Sequence, residues 1–285
     1  MKNGTVLRFV IFILLPTLLS GCLSLKELGD YSANSVKNIK NYDELGYSFT
    51  RSCKDKCLLE QQEKNQIYRE YCDCQANIIA DSVTGIIYNA AKGYFSGLAI
   101  LSGNNLTNYS FDPIKKSLVE GKFGDIHVSS SHAEAYSSIA TILTRLITDG
   151  YRKNKLAEFI GDANAPIKML LEALGANLVN LSNKLDLRKD RLVNYYFDLT
   201  NDKNLTVVDK KKIIEEYNLT MADIEAKKKQ IAVYGNSLKL IADGHQALFD
   251  KRNDLNIPGI KEQISQYSAD IRSLNADFNN LKKRD

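Results

Sequence analysis

Leucine, isoleucine and other large apolar residues recur at steps of three and four over residues 159–285. Three such series can be traced along this part of the chain. They are Leu171, Leu174, Leu178, Leu181, Leu185 and Leu192; then Ile214, Tyr217, Met221, Ile224, Ile231 and Leu238; and finally Ile260, Ile264, Tyr267, Ile271, Leu274, Phe278 and Leu281. This spacing puts the apolar side chains on one face of a helix, as in coiled coils. It predicts three long helices packed antiparallel at shallow angles.

Polar turn sequences separate these helices. Residues 201–204 (Asn-Asp-Lys-Asn) divide the first helix from the second, and residues 256–259 (Asn-Ile-Pro-Gly) divide the second from the third. Pro258 suits the first turn of a helix, where its missing N–H is not needed. Two charged residues interrupt the apolar series, Arg188 in the first and Lys228 in the second. We expect Lys228 to extend its charged end to solvent or to weaken pairing locally.

Residues 51–158 show a helical pattern of the same kind. Two apolar stripes recur at helical spacing. They are Ile78, Ile79, Val83, Ile86 and Ile87, and Tyr136, Ile139, Ile142, Leu143, Leu146 and Ile147. Residues 103–131 between them are rich in Asn, Gly and Ser and predict an exposed, irregular segment. Residues 22–50 are polar and predict a partly ordered tether.

These elements together predict an all-α fold. We expect an elongated antiparallel bundle in which residues 51–158 and the long helices of 159–285 form one continuous structure. The apolar run from Gly85 to Leu101, with Gly93 and Gly97 at a spacing found in packed membrane helices, suggests insertion into a bilayer, but its length is at the lower margin for spanning one. Asn89 and Lys92 near its centre favour a helix buried in the bundle instead.

Composition and charge narrow the function classes. The chain has 285 residues, of which 44% are hydrophobic, with 38 Lys and Arg against 34 Asp and Glu. This balance excludes a disordered, collagen-like or multi-span membrane protein. It also provides no basic surface of the kind that binds nucleic acid.

The cysteines are clustered. Apart from Cys22, they are Cys53, Cys57, Cys72 and Cys74, an even number within a short segment. Such clustering in an exported protein predicts two disulfides, and a nested pairing, Cys53 with Cys74 and Cys57 with Cys72, would join the two arms of a hairpin that turns near Lys64. However, a continuous helix over residues 58–71 would hold Cys57 and Cys72 roughly 22 Å apart, so either this segment bends or the pairing differs. A four-thiolate zinc site and free thiols are the alternatives.

The first 22 residues have the organisation of an export signal. Lys2 and Arg8 precede an apolar run, and Leu19-Ser20-Gly21-Cys22 follows it. This tetrapeptide resembles the lipobox of bacterial lipoproteins. The resemblance implies that residues 1–21 are removed, that Cys22 carries fatty acyl chains such as palmitate, and that the chain is held in the bacterial cell envelope. Since residue 23 is Leu rather than Asp, the resemblance favours the outer membrane, with the protein facing the periplasm.

Catalytic chemistry has little support in the sequence. His127 and His132 lie in or beside the irregular segment, but without the spacing of a metal-binding helix, and Ser131 with Glu134 predicts a helix cap there. His245 falls on an apolar helix face, where a packed side chain is expected. We therefore predict no catalytic residues, no metal, no cofactor and no small-molecule substrate.

The sequence therefore predicts a non-enzymatic, lipid-anchored helical protein that binds another protein of the envelope. An immunity-type inhibitor, a secretion accessory and a structural spacer all fit this description. Its expected contact regions are residues 104–131, 200–205 and 254–259. The alternative is a membrane-perturbing, toxin-like protein that inserts residues 85–101.

Overall fold

The computed structural model describes residues 25–64, 66, 72–103, 118–148, 155–255 and 257–282. The described chain is almost entirely α-helical, which confirms the predicted all-α class. The helices are α1 (Lys26–Ile39), α2 (Phe49–Lys64), α3 (Gln75–Ser102), α4 (Ser130–Thr148), α5 (Leu156–Thr200), α6 (Val207–Asp250) and α7 (Pro258–Lys282), and a 3₁₀ turn, Lys40–Glu44, follows α1. A short antiparallel hairpin of β1 (Gly121–Phe123) and β2 (Ile126–Val128) lies between α3 and α4.

Helices α5 and α6 form the long antiparallel pair that the apolar series predicted. They contain 45 and 44 residues, and so each spans about 66 Å at 1.5 Å per residue. Every leucine of the first series is buried. The turn between them is fixed by Thr206, which accepts a hydrogen bond from the Asp209 N–H (3.2 Å) while Asp209 accepts one from the Thr206 N–H (3.2 Å). This reciprocal cap satisfies N–H groups at the start of α6.

Helix α3 lies at the centre of the bundle. It packs against α1, α2, α4 and α5, and its Tyr94, Phe95 and Leu98 side chains are fully buried. The apolar run from Gly85 to Leu101 therefore forms core, as its polar residues had favoured. No helix in the described ranges combines the length and apolar character that a membrane crossing needs.

Helix α1 corrects the prediction of a tether over residues 22–50. From Leu25 onward this segment belongs to the folded core, and Leu28, Tyr31 and Ile39 of α1 are buried. The Tyr31 hydroxyl donates a hydrogen bond to the Ile241 carbonyl of α6 at 2.5 Å. These apolar residues follow helical spacing, but they are too few to stand out among the serines and asparagines between them.

The polar residues of α1 are themselves part of an interface with α7. Asn34 Nδ2 donates to Ser268 Oγ (2.9 Å), and Asn38 Nδ2 donates to the Ile271 carbonyl (2.8 Å). Buried amides are stable only when hydrogen-bonded in this way. The polar residues of α1 can therefore be buried, because they form hydrogen bonds with α7.

The described part of the segment 103–131 is more regular than predicted. Gly124, with φ of 58°, makes the turn between β1 and β2, and Ile126 and Val128 are buried. Helix α4 begins immediately afterwards, at Ser130. Residues 104–117, included in the same prediction, lie outside the described residues.

Candidate functional site

Two disulfides join α2 to the start of α3. Cys53 pairs with Cys74 and Cys57 with Cys72, with Cα–Cα distances of 5.8 and 6.1 Å. The pairing is the nested one, and it is possible because α2 ends at Lys64 instead of continuing through residue 71. No group of three or more metal-ligating side chains occurs within the described ranges. Cys22, the predicted lipidation site, lies outside them.

The disulfides act together with a cap supplied by α3. Both carboxylate oxygens of Asp81 accept hydrogen bonds at 2.9 Å from N–H groups at the start of α2, one from Phe49 and one from Thr50. A carboxylate here satisfies free N–H groups and complements the positive end of the helix dipole. The first half of α2 is thus fixed to α3 by the cap and by both disulfides, which indicates a structural role for the cysteines.

His245 belongs to a buried hydrogen-bond network. Its Nε2 lies 2.6 Å from the Tyr94 hydroxyl, and its Nδ1 lies 3.0 Å from Asn164 Oδ1. Because Asn164 donates its amide N–H to Gln246 (3.3 Å), its oxygen is the acceptor for His245. In this arrangement, Nδ1 of the neutral imidazole carries the hydrogen, and Nε2 accepts a hydrogen bond from the Tyr94 hydroxyl.

Burial keeps this network neutral. Desolvation lowers the pKa of His245 to about 3 and raises the pKa of Tyr94 well above its ordinary value. Tyr94 also stacks on Phe159, with ring centroids 5.1 Å apart. Tyrosine and histidine together can transfer protons, but both side chains are fully enclosed. Because solvent does not reach these groups, we interpret the network as one that fixes how α3, α5 and α6 pack against one another.

His127 and His132 have separate surroundings and form no shared site among the described residues. His127 is exposed on β2 opposite Lys122. His132 caps α4, because its Nδ1 accepts from the Ser129 N–H (3.2 Å) while Ser129 Oγ accepts from the His132 N–H (3.3 Å). The predicted cap of Ser131 with Glu134 was therefore wrong by two residues: the same type of cap is present, with histidine in place of glutamate.

Both charged interruptions of the apolar series form ion pairs between helices. Arg188 Nη1 of α5 lies 3.0 Å from Asp55 Oδ2 of α2, and Lys228 Nζ of α6 lies 2.5 Å from Asp186 Oδ1 of α5. Asp55 is almost completely buried, whereas Asp186 is half exposed. Sequence spacing revealed these cations but not their partners, which lie on other helices.

The far end of the α5–α6 pair extends beyond the other helices. Helix α2 reaches α5 at Arg191, which pairs with Glu63 at 2.5 Å. Helix α7 ends at Lys282, which pairs with Glu44 beside the 3₁₀ turn. We call residues 192–223, which continue past these contacts, the distal hairpin. Tyr196 joins its two helices through a hydrogen bond from its hydroxyl to Glu216 Oε1 (3.0 Å).

Exposed apolar side chains are concentrated on the distal hairpin. Six large hydrophobic residues there are between 38% and 85% exposed. They are Val193, Phe197, Val207, Val208, Ile214 and Leu219. Since Tyr196 faces Tyr217 (ring centroids 5.6 Å apart), helical geometry places Val193 and Phe197 on the same flank as Val207 and Ile214.

The predicted contact regions map to different parts of the molecule. Residues 200–205 form the tip of the distal hairpin, where the exposed apolar residues gather. Ile257, within 254–259, is half exposed at the opposite end of the bundle. Comparisons with protein families, curated proteins and solved structures give no match to this chain. The function of this chain is therefore inferred from its geometry.

Proposed function

We propose that this chain is a lipid-anchored helical protein of the bacterial envelope and that it acts by binding another protein through the distal hairpin. The observation that carries this proposal is the group of exposed apolar residues on a segment that projects from the bundle. Large exposed apolar clusters on soluble surfaces mark interaction sites. Phe197, which is 67% exposed, is the largest of them and the natural anchor for a partner.

The position of α1 indicates how far the lipid anchor would lie from the distal hairpin. Only two residues separate Cys22 from Leu25, so the acyl chains would lie within about 10 Å of the start of the folded core. Leu25 and Leu28 lie beside Leu248 and Ile260, at the end of α6 opposite the distal hairpin. The length of α6 from Val207 to Leu248 separates the two ends by about 60 Å. A partner would therefore be bound well away from the anchoring membrane.

Site-specific crosslinking tests the binding surface. A photoreactive amino acid at Phe197 of the full-length protein, expressed in its host, should give a discrete adduct with one envelope protein. The same substitution at Val179, which is 60% exposed on the part of α5 that lies within the bundle, is the matched control and should give none. Equal adducts at both positions, or none at Phe197, would exclude the distal hairpin as the binding surface.

Lipid attachment has its own test. Mass spectrometry of the protein from its host should show an amino-terminal Cys22 that carries acyl chains, and Cys22→Ala should release the protein from the membrane fraction. An unmodified Cys22 in a chain that keeps its leader would refute the anchor.

The alternative is insertion of residues 85–101 into a bilayer. This would require α3 to leave the centre of the bundle and would separate the buried Tyr94 from His245 and Phe159. Dye release from liposomes distinguishes the two functions. A protein that acts by binding through the distal hairpin should cause no release, whereas efficient release would favour the membrane-perturbing function.

A further inference from the structure

A cleft between α2 and α5 is lined by hydrogen-bond donors. It has a volume of about 210 Å³ and lies against Tyr47, in the segment before α2. Its polar lining consists of four cationic side chains and two hydroxyls. These are Lys56, Lys184, Arg188 and Arg191, with Tyr47 and Ser52. None of the described residues that line it is a carboxylate, although acidic residues are close by.

The nearby carboxylates form ion pairs with the cations. Asp125 is 2.8 Å from Lys184, Asp55 is 3.0 Å from Arg188, and Glu63 is 2.5 Å from Arg191. Glu60 is 3.9 Å from Lys56 and 3.7 Å from Arg191. These pairs hold the cationic side chains in place and offset their charge. The polar part of the lining nevertheless consists of these cations and hydroxyls, and ordered donors of this kind bind oxyanions.

Two of the donors make no aligned hydrogen bond among the described residues. The Tyr47 hydroxyl lies beside Ser52 without one, and Arg188 Nη1 meets Asp55 Oδ2 at 3.0 Å as an ion pair that is not aligned as a hydrogen bond. Tyr47 as a whole is only 3% exposed. A buried donor without an aligned acceptor destabilises the fold. An oxyanion that enters the cleft would offer acceptors to the donors that line it.

The apolar lining indicates what carries the oxyanion. Leu59 lies buried at one wall, and Leu187 is exposed on the α5 side. A cavity of roughly 150 Å³ can hold benzene, so this cleft admits one or two side chains. We propose that the cleft binds the carboxylate of an acidic side chain in a peptide segment, with an aliphatic neighbour packed between the two leucines. This site is separate from the distal hairpin.

The test compares two peptides with the full-length protein in detergent. The probe is a fluorescent, capped peptide of sequence Ala-Leu-Glu-Leu-Ala, and its matched control carries Gln in place of Glu. Fluorescence anisotropy should show at least about tenfold tighter binding of the Glu peptide, because charged hydrogen bonds are the stronger ones. Equal affinities, or no binding of the Glu peptide, would overturn the proposal.

Variants locate the binding. Tyr47→Phe removes only the hydroxyl and should weaken binding by about two- to tenfold. The Lys184→Gln/Arg191→Gln double variant should weaken it more. Lys189→Gln is the matched control, since Lys189 lies on α5 but pairs with Glu225 outside the cleft. It should leave binding unchanged. Circular dichroism of each variant establishes that it is folded, and equal losses in all three would overturn the proposal.

Two further arms separate the sources of an anion. Inorganic phosphate and anionic phospholipid vesicles serve as competitors for the Glu peptide. We expect phosphate to compete weakly and vesicles not to compete. If vesicles displaced the peptide, and this displacement depended on Tyr47 and Arg191, the cleft would be assigned to a lipid headgroup instead. Phe197→Ser should leave the peptide affinity unchanged, so that failure of the distal-hairpin function remains distinguishable from failure of this site.

Discussion

At the residue scale, Gly244 allows side chains of two other helices to pack closely against the backbone of α6. A Cβ atom at this position would lie 2.6 Å from the Tyr31 ring and 3.2 Å from the Tyr267 ring. Both tyrosines belong to neighbouring helices, α1 and α7. Their rings pack directly against the backbone of α6, which only glycine permits.

We therefore expect Gly244→Ala to lower the free energy of unfolding by about 1–3 kcal/mol, the usual effect of overpacking. Urea denaturation measures this change. Gly175→Ala is the matched control, since a Cβ there meets no atom within 4 Å. Alanine in that helix interior should raise the free energy of unfolding by about 0.5–1 kcal/mol. A neutral Gly244→Ala would contradict the packing described.

His245 predicts a pH dependence of stability. Because its pKa is about 3 in the folded protein and about 6.5 when unfolded, the unfolded chain binds a proton that the folded one does not between these values. The free energy of unfolding should therefore fall as pH decreases from 6.5 to 3. For one proton, the slope is at most about 1.4 kcal/mol per pH unit.

The comparison with His245→Gln isolates this contribution. Urea denaturation of both proteins from pH 7.5 to 4 should show a steeper loss of stability for the wild type, since carboxylates contribute equally to both. Parallel curves would mean that the buried imidazole does not cause the dependence.

At the scale of elements, the two ion pairs that interrupt the apolar series, Asp55–Arg188 and Asp186–Lys228, should contribute differently to the free energy of unfolding. Breaking the Asp55–Arg188 pair with Arg188→Ala should cost about 2–4 kcal/mol, because the buried carboxylate then keeps, among the described residues, the Arg51 ion pair at 2.9 Å. Lys228→Ala breaks a pair that is more exposed, at 26% for Lys228 and 47% for Asp186, and should cost less, about 1 kcal/mol.

A double-mutant cycle of Asp55→Ala and Arg188→Ala checks this assignment. The double variant should be more stable than the sum of the single losses predicts. Strict additivity would show that the two side chains do not interact.

The elements also show how far the sequence could predict the fold. Helices α5 and α7 were predicted from apolar spacing, because one face of each is buried along most of its length. Helix α1 was missed because Asn34, Asn38 and their neighbours bury polar groups against α7, and hydrogen bonds between distant segments leave no local pattern. The nested cysteine pairing could not be chosen from the sequence, because it depends on the residue at which α2 ends.

Sites assembled from several helices were even less predictable. Sequence spacing identified His245 as a seam residue, but Tyr94 and Asn164, its partners, lie on other helices. The cleft of Tyr47, Lys184 and Arg191 had no sequence signal. The tip at residues 200–205 was predicted from turn residues alone, whereas its exposed apolar flank depends on where α2 and α7 end.

At the scale of the whole molecule, the distal hairpin should be dispensable for folding. Replacing residues 194–219 by a short Gly-Asn turn removes only one buried side chain, that of Tyr196. We expect the melting temperature, followed by circular dichroism, to change by only a few degrees, while crosslinking to a partner is lost.

Removal of α7 provides the contrast. A chain that ends at Ile257 would expose the buried faces of α1 and α6, and it should lose cooperative unfolding. If both truncations destabilised the protein equally, the distal hairpin would be part of the core.

The packing of α1 against the last two helices also constrains how the chain can acquire its structure. The hydrogen bonds of Tyr31 and Asn38 join residues 210 and 233 positions apart. Contacts of such long range form slowly, because a large loop must close first. When the amino terminus leaves the ribosome, its partners on the last two helices have yet to follow. Synthesis must therefore reach the last helix before the first one can take its final place.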